Sequence, residues 1–329
     1  MTTRRHLLAL LGVTVLGATA LPALAQPAWP QRPVTMIVPF AAGGPTDVIA
    51  RIVGEHMSRT LGQQIVIENV AGAGGTTGAT RTATAAPDGY TIMMGHMGTH
   101  GAAPALYPNL RYDPAKDFAP IGLVAGTPIV IVARKDFPAP DLRAFDTYVQ
   151  ANAAKLNMAH AGVGSVSHST GVLFTSLIKA KPTFVTYRGA GPALNDMMSG
   201  TVDFMTDQIV NVAPQVTAGT IRAYAIATPE RSPALPDVPT TREAGLPEYE
   251  VSAWNAMFAP KGTPPAIVAK LNQALVTALD DEGTRKRLLD LGGTIADRGG
   301  RSPEALQALV VSEVARWTPV LKAAGAVAN

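Results

Sequence analysis

Short apolar runs alternate with helical patterns along almost the whole chain, and this alternation limits the fold more than any other feature of the sequence. Apolar runs of strand length are typical of parallel sheets whose two faces are covered by helices. An α/β fold is therefore predicted. The length of 329 residues is enough for about two domains of about 150 residues each.

The predicted elements fall into two successive blocks. The first block has strands at 34–40, 64–70 and 90–95, a helix at 45–61 and a short helix before Pro87. The second block follows a short apolar segment at 121–125 and has strands at 128–133, 157–161, 183–187, 202–206 and 221–227, with helices at 143–155, 165–180 and 192–199. A Pro-rich stretch at 229–239 leads to a strand at 254–260, a helix at 264–279 and a last helix that Ser302 caps. This order predicts a middle domain, 126–228, inserted into a discontinuous domain made of 26–125 and 229–329, with a cleft between the two lobes.

The first 25 residues have the three parts of a secretory signal peptide. Arg4 and Arg5 precede an apolar run at 7–21, and small residues end at Ala25, where cleavage is expected. The run is shorter than the about 20 apolar residues that span a bilayer, and Pro22 ends it. Because the chain has no Cys to carry a lipid, we expect a free protein in the periplasm. The paired arginines leave the Sec and twin-arginine export routes both open.

Composition excludes several functional classes. The formal net charge is +3, but 25 basic and 24 acidic residues remain without the signal peptide, so no nucleic-acid partner is expected. The absence of Cys excludes disulfides, thiolate metal sites and a Cys nucleophile. His96 and His100 are four residues apart, but they lie among glycines without the Glu of a zinc helix, so no metal is expected. Thr77 stands where a dinucleotide fingerprint needs its third Gly, so no cofactor is expected either.

Two glycine-rich turns give the main functional signal. The turns are Phe40-Ala41-Ala42-Gly43-Gly44-Pro45-Thr46-Asp47 and Ala161-Gly162-Val163-Gly164-Ser165-Val166-Ser167-His168. Each leaves a predicted strand and opens a helix, so free amides and the helix dipole favour an anion there. Either turn alone is equally typical of an ordinary strand-to-helix connection. Because the two turns belong to opposite lobes and face one cleft, together they predict an anion site.

Hydrolase chemistry is the enzyme alternative. Gly164 occupies the position where a nucleophile elbow needs Ser, although Ser165 follows a strand. His168 is adjacent to Ser167, and a base one residue away on a helix points elsewhere. A secreted serine hydrolase that uses Ser165 or Ser167 is the alternative to a binding protein, and we expect no enzymatic activity.

Two further side chains follow predicted strands. Asp207 comes after the strand at 202–206, at the end where open α/β sheets bind ligands. Arg188 follows the strand at 183–187, and a guanidinium can pair bidentately with a carboxylate. The plainer interpretations are a turn residue for Asp207 and a solvated loop charge for Arg188.

A series of motifs extends in a fixed order along almost the whole predicted mature chain. The motifs are Val38-Pro39-Phe40 with Gly43-Gly44-Pro45-Thr46-Asp47, Gly72-Ala73-Gly74-Gly75, Pro87-Asp88-Gly89-Tyr90-Thr91, Asp117-Phe118-Ala119-Pro120, Gly164-Ser165, Gly200-Thr201-Val202-Asp203, and Arg231-Ser232-Pro233 with Glu243-Ala244-Gly245. With these motifs the sequence resembles the Bug family, the periplasmic substrate-binding proteins of tripartite tricarboxylate transporters. The resemblance implies a two-lobed, type II-like periplasmic-binding-protein fold that closes by a hinge on a small organic acid. It also implies a monomer that delivers a dicarboxylate, tricarboxylate, amino acid or aromatic acid to a permease of one large and one small membrane subunit.

In the Bug family two loops, one from each lobe, hold a ligand carboxylate through backbone amides, small hydroxyls and waters. Carried over by motif, the candidate ligand-binding residues are Phe40, Ala41, Ala42, Gly43, Gly44, Thr46 and Asp47 in the first loop and Gly162, Gly164, Ser165, Ser167 and His168 in the second. Thr99, Arg188 and Asp207 are further candidates for the wall of the cleft. Ala41-Ala42 stands where two prolines are common in the family, which leaves the ligand's identity open. A sensory protein that reports to a membrane kinase is the other alternative, and the sequence does not separate it from transport.

Overall fold

The computed structural model describes residues 29–324, so the predicted signal peptide lies outside the described residues. The strands are β1 Val34–Val38, β2 Ile65–Asn69, β3 Thr91–His96, β4 Phe118–Arg134, β5 Asn157–His160, β6 Thr183–Thr186, β7 Phe204–Gln208, β8 Ile221–Ile226 and β9 Ser252–Pro260. The α-helices are α1 Pro45–Leu61, α2 Thr76–Ala83, α3 Ala103–Leu106, α4 Leu142–Asn152, α5 Val166–Leu177, α6 Ala190–Met198, α7 Ile209–Thr217, α8 Pro265–Asp280, α9 Glu282–Asp290 and α10 Pro303–Ala323. A π-helical turn, Gly98–Ala102, precedes α3.

The strands form two mixed sheets that share β4. In the first sheet the order is β2-β1-β3-β9-β4, parallel among β2, β1 and β3 and antiparallel on both sides of β9. In the second sheet the order is β8-β4-β7-β5-β6, parallel among β7, β5 and β6 and antiparallel on both sides of β4. We call the parts built on these sheets the first lobe and the second lobe. Since β4 pairs with β9 as far as Pro128 and with β7 from Ile129, one continuous strand crosses between the lobes.

Helices cover both faces of the sheets, and each face has its own hydrophobic core. One core packs the strands against α1, α6, α7 and α8, with buried side chains such as Ile49 and Leu275. The other packs them against α4, α5 and α10, and it contains Phe145, Phe174 and Trp317. The α/β prediction is confirmed by this three-layer arrangement.

Local signals predicted several helix boundaries correctly. Helix α1 spans the predicted residues, with Pro45 at its start, where a missing N–H removes no hydrogen bond. Helix α10 begins after Ser302, whose side chain accepts the Ala305 N–H. Its buried Glu313 accepts the indole N–H groups of both Trp254 and Trp317, so that polar side chain has partners in the core.

The structure corrects the sequence-based interpretation at three places. The two predicted segments at 121–125 and 128–133 are one strand, β4, because the backbone of Gly126 stays paired and exchanges two hydrogen bonds with Thr294. Helix α7 was not predicted, since Pro214 lies inside it and proline usually ends a helical pattern. Helix α9 was not predicted either, because it presents few apolar residues, although Asp281 caps it.

Candidate functional site

A small cavity lies between the two lobes, with about 300 Å³ of empty space when the open solvent at its mouth is included. Its wall in the first lobe consists of Phe40, Gly44, Pro45, Thr46, Asp47 and His96. Its wall in the second lobe consists of Ala161, Ser165, Val166, Ser167, Ala190, Asp207 and Gln208. No lysine or arginine is among these described wall residues, so an anion placed here meets neutral donors.

Four helices, α1, α5, α6 and α7, begin at or next to this wall. The first N–H groups of a helix have no partner within the helix, and the helix dipole makes that end electropositive. In the described structure the backbone N–H groups of Thr46, Asp47, Val166 and Ser167 have no acceptor. The cavity therefore attracts negative charge from both lobes without a formal cation.

The Asp47 side chain fixes the first loop from inside. Its carboxylate accepts two hydrogen bonds from Arg51, each 2.9 Å, one from Asn69 at 2.9 Å and one from the Gly43 backbone N–H at 3.0 Å. Burial alone would raise the pKa of this carboxyl, but the hydrogen bonds from Arg51, Gly43 and Asn69 outweigh burial and lower it. Because a carboxylate has about four acceptor positions, Asp47 is saturated and shapes the loop.

The second loop is held by serine hydroxyls. Ser165 caps α5 by accepting the His168 N–H at 3.2 Å. Ser167 Oγ accepts the Ala161 N–H at 3.0 Å and lies 3.2 Å from Ser165 Oγ. Neither hydroxyl is hydrogen-bonded to a histidine ring in the described chain, and burial lowers the pKa of His168 to about 3. These contacts make Ser165 the cap of α5 and hold Ser167 on the Ala161 backbone. Among the described residues neither serine has the neighbouring base that a nucleophile needs.

Asp207 lies near the carboxyl end of β7 and is buried against the cavity. Among the described residues, its carboxyl accepts hydrogen bonds from neutral donors only: the Asn211 side chain and the Gln208 backbone. Burial raises the pKa of Asp207 to about 7, although these two hydrogen bonds act in the opposite direction. The second lobe thus presents a carboxyl that is partly protonated at neutral pH.

His96 is a wall residue that the sequence patterns did not identify. Its ring stacks on Phe40 with 4.9 Å between the ring centroids. Its Nδ1 accepts the backbone N–H groups of Gly98 at 2.8 Å and Thr99 at 3.2 Å. Burial lowers the pKa of His96 to about 4, so the ring is neutral and carries its proton on Nε2. That N–H has no acceptor in the described chain, which makes it a further donor at the wall.

Two contacts beside the cavity join the lobes, and we call them the seams. At one, the Ala41 N–H donates to the Arg188 carbonyl at 3.1 Å. At the other, the Tyr107 hydroxyl donates to the Val163 carbonyl at 2.6 Å, and Gly74 adopts a φ of 60°. A Cβ on Gly74 would overlap the Val163 carbonyl oxygen, so glycine permits this close approach.

Comparison with known proteins decides the family. Residues 49–326 match the family described as the tripartite tricarboxylate transporter family receptor. This chain belongs to that family. It is thus a solute-binding receptor of the tripartite tricarboxylate transporter class, and the resemblance read from its motifs is confirmed.

Solved and curated relatives agree in fold and sequence. The receptor is 52% identical to MatC of Rhodopseudomonas palustris with bound malate, covering 89% of this chain and 100% of that one, with a TM-score of 0.87. A second R. palustris protein, Rpa4515 with adipate, is 34% identical, with a TM-score of 0.86 over 91% of this chain and 99% of the other. BugT of Bordetella pertussis is 33% identical over 97% of this chain and 98% of its own length.

The structure brings about half of the predicted site residues to the cavity of this receptor. Those that line it are Phe40, Gly44, Thr46, Asp47, Ser165, Ser167 and Asp207. Those outside the wall are Ala41, Ala42, Gly43, Thr99, Gly162, Gly164, His168 and Arg188. Thr99 is fully buried, with its hydroxyl hydrogen-bonded to the His96 backbone, and Ala41 and Arg188 lie in a seam. Ligand contact by any of these residues stays a prediction.

No helix within residues 29–324 has the length and apolar character needed to cross a membrane. Within the same residues, no three His, Asp or Glu side chains lie close enough together to hold a metal ion.

Proposed function

We propose that this receptor captures a small dicarboxylate of about the size of malate in the periplasm by closing its lobes on it. The observation that carries the proposal is the convergence of helix N-termini from both lobes on one cavity whose described wall has no cation. Neutral backbone amides stabilise a carboxylate without the desolvation cost of a buried ion pair. MatC, at 52% identity, has malate bound.

The bodies that close are, in this proposal, the domain made of 26–125 and 229–329 and the domain 126–228. The continuous strand β4 supports this division, because its two halves pair in different sheets. Only a ligand that contacts both lobes shifts the equilibrium towards the closed state.

The proposal assigns no enzymatic activity to the receptor. The Ser165 and Ser167 hydroxyls lie within hydrogen-bond distance of each other. Ser165 accepts the His168 N–H as the cap of α5, and Ser167 accepts the Ala161 N–H. A serine nucleophile needs an adjacent base to remove its proton, and the nearby His168 accepts the Gly164 N–H through Nδ1 instead.

Ligand binding is tested on purified protein lacking residues 1–25. Thermal shift and calorimetry with malate, adipate, citrate, aspartate and benzoate should show stabilisation by malate with a stoichiometry of one. Stabilisation by none of these acids, or hydrolysis of a chromogenic ester that Ser165→Ala abolishes, would overturn the proposal.

Lobe closure is tested at Gly74. A Cβ added in Gly74→Ala would overlap the Val163 carbonyl. In this proposal that contact forms when the lobes close, so malate affinity should fall at least about tenfold, equal to about 1.4 kcal/mol. Gly62→Ala is the matched control, since Gly62 has a φ of 71° but open space around it. Both variants carry the same backbone strain, and equal affinities in the two would contradict closure at this seam.

Delivery to a membrane permease of two subunits, from a monomeric receptor in the periplasm, completes the proposal. A strain lacking the receptor should lose uptake of labelled malate. The full-length chain expressed in that strain should restore the uptake and should be found in the periplasmic fraction. Normal uptake with a lost transcriptional response to malate would instead indicate a sensory role. Light scattering of the purified receptor should give the mass of one chain.

A further inference from the structure

A buried polar network connects the cavity to the strands that lie between the lobes. Thr127 on β4 and Asn255 on β9 are fully buried, and neither lines the cavity. Thr46 and Gln208, one from each lobe, do line it. The four side chains hydrogen-bond to one another, so the network joins wall residues that belong to opposite lobes.

The Asn255 amide stands at the centre of this network. Its Oδ1 accepts the Thr46 hydroxyl at 3.2 Å, and its Nδ2 donates to Gln208 Oε1 at 2.8 Å. The same Oε1 also accepts the Thr127 hydroxyl at 2.7 Å. Gln208 Oε1 is therefore occupied by two donors on the side away from the ligand.

The other end of the Gln208 amide is free. Its Nε2 has no acceptor among the described residues. Gln208 lines the cavity, and 3% of the residue is exposed. A primary amide has two N–H donors at that end. If the Gln208 amide alone were turned over, its Nε2 would face the Asn255 Nδ2, and two donors would oppose each other. With Asn255 in the described orientation, its donor therefore fixes which end of Gln208 the ligand meets.

We propose that Asn255 is a positioning residue that orients the Gln208 amide, so that its Nε2 donates to the bound carboxylate when the lobes close. Asn255 lies in the first-lobe sheet, paired with His96 and Ala125, whereas Gln208 lies at the start of α7 in the second lobe. The hydrogen bond between them spans the lobes, so it links closure to the arrangement of a ligand donor. This role rests on the proposed capture of a dicarboxylate.

A double-mutant cycle tests the role with malate as the probe. Asn255→Leu and Gln208→Met keep the side-chain volume and remove the amides. If Asn255 acts through Gln208, each single variant should lower malate affinity about tenfold and the double variant also about tenfold, because the second change has nothing left to remove. A loss of about a hundredfold in the double variant, the product of two independent effects, would overturn the proposal.

Asn272→Leu is the matched control for loss of an amide within the first lobe. Asn272 donates to the backbone carbonyls of Ile121 at 2.7 Å and Arg301 at 2.9 Å, away from the cavity. This variant should be less stable in urea but should bind malate as the unmodified receptor does. Equal affinity losses in Asn272→Leu and Asn255→Leu would show a general effect of destabilisation and would overturn the positioning role.

The same variants separate failure of this role from failure of the proposed function. If the unmodified receptor binds malate and the affinity losses of the two single variants multiply in the double variant, the positioning role alone is wrong. If the unmodified receptor binds none of the tested acids, capture of a dicarboxylate is wrong and the role falls with it. A cycle of urea unfolding on the ligand-free proteins then shows whether the Asn255–Gln208 hydrogen bond exists, since only coupled residues give a non-multiplicative change in the unfolding constant.

Discussion

Two buried aspartates, one on each lobe, line the same cavity and have opposite pKa shifts. Asp47 and Asp207 are 3% and 1% exposed, so burial penalises the charged form of both. The pKa of Asp47 is nevertheless lowered, whereas that of Asp207 is raised to about 7.

The difference lies in their hydrogen-bond donors. Asp47 receives a bidentate guanidinium from Arg51 in addition to Asn69 and a backbone N–H. Among residues 29–324, Asp207 receives only neutral donors, from Asn211 and the backbone. In the first lobe the negative charge of Asp47, at the start of α1, is thus compensated by Arg51. In the second lobe the Asp207 carboxyl is partly neutralised by binding a proton. Both arrangements leave the cavity free to accept an anion.

Asp47→Asn should have the largest effect. An amide cannot accept from Arg51, Asn69 and Gly43 together, so the loop loses charged hydrogen bonds and stability should fall by about 2 kcal/mol. Malate affinity should fall at least about tenfold, because the start of α1 is no longer held. Urea unfolding and calorimetry measure the two effects.

Asp290→Asn is the control, because Asp290 forms an exposed pair with Lys286. It should change stability by less than about 0.5 kcal/mol. A loss of stability in Asp290→Asn as large as that in Asp47→Asn would contradict the assignment.

Asp207→Asn should remove a pH dependence that the unmodified receptor has. Since the pKa of Asp207 is about 7, the carboxyl is a donor below that pH and a repelling carboxylate above it. Malate affinity should therefore fall by about tenfold between about pH 6 and about pH 8.5 in the unmodified receptor and stay level in the variant. Burial lowers the pKa of His96 to about 4 and of His168 to about 3, so neither ring titrates in this range. A level profile in the unmodified receptor would show that Asp207 does not face the anion.

The same shift has a consequence for the stability of the ligand-free receptor. A folded-state pKa above the ordinary value of 3.8 means that the folded state keeps a proton which the unfolded state has lost. Between about pH 4 and about pH 7 the contribution of Asp207 to stability should therefore fall as pH rises, by up to about 1.4 kcal/mol per pH unit. Comparison of unfolding curves for the unmodified receptor and Asp207→Asn measures this slope.

The sequence predicted the parts of the site that depend on local signals. The turns before α1 and α5 were found because glycine, proline and capping residues act within a few positions of the helix start. His96 and Gln208 were missed, because their roles depend on contacts that no local period records. Asn255, for example, reaches Gln208 across 47 positions and Thr46 across 209. The α/β class was predictable for the opposite reason, since it depends on many short apolar runs and not on any single contact.

Asn69→Ala tests how much of the Asp47 arrangement depends on its neutral donor. The variant keeps the Arg51 pair with Asp47 but loses the Asn69 hydrogen bonds to Asp47 and to the Phe40 carbonyl and the one that Asn69 accepts from Arg51, so stability should fall by about 1 kcal/mol. The pKa of Asp47 should rise towards its ordinary value. A folded-state pKa below the ordinary value stabilises the fold at pH values above the ordinary pKa, and this stabilisation is lost as pH falls through the folded-state pKa. With less of it, the variant should unfold at a higher pH during acid titration. An unchanged acid midpoint would show that Arg51 and the Gly43 N–H set the pKa of Asp47 without Asn69.

Asn211→Leu should give the smallest effect and acts on the other aspartate. The Asn211 side chain is the larger of the two hydrogen-bond donors that lower the pKa of Asp207 against burial. Its removal should raise that pKa further, so the pH at which malate affinity begins to fall should move upward by a fraction of a unit, with little change in affinity below it. Calorimetry from about pH 6 to about pH 8.5 locates the midpoint. A downward movement would mean that Asn211 stabilises the protonated carboxyl, and the neutrality of the second lobe would then depend on this amide as well as on burial.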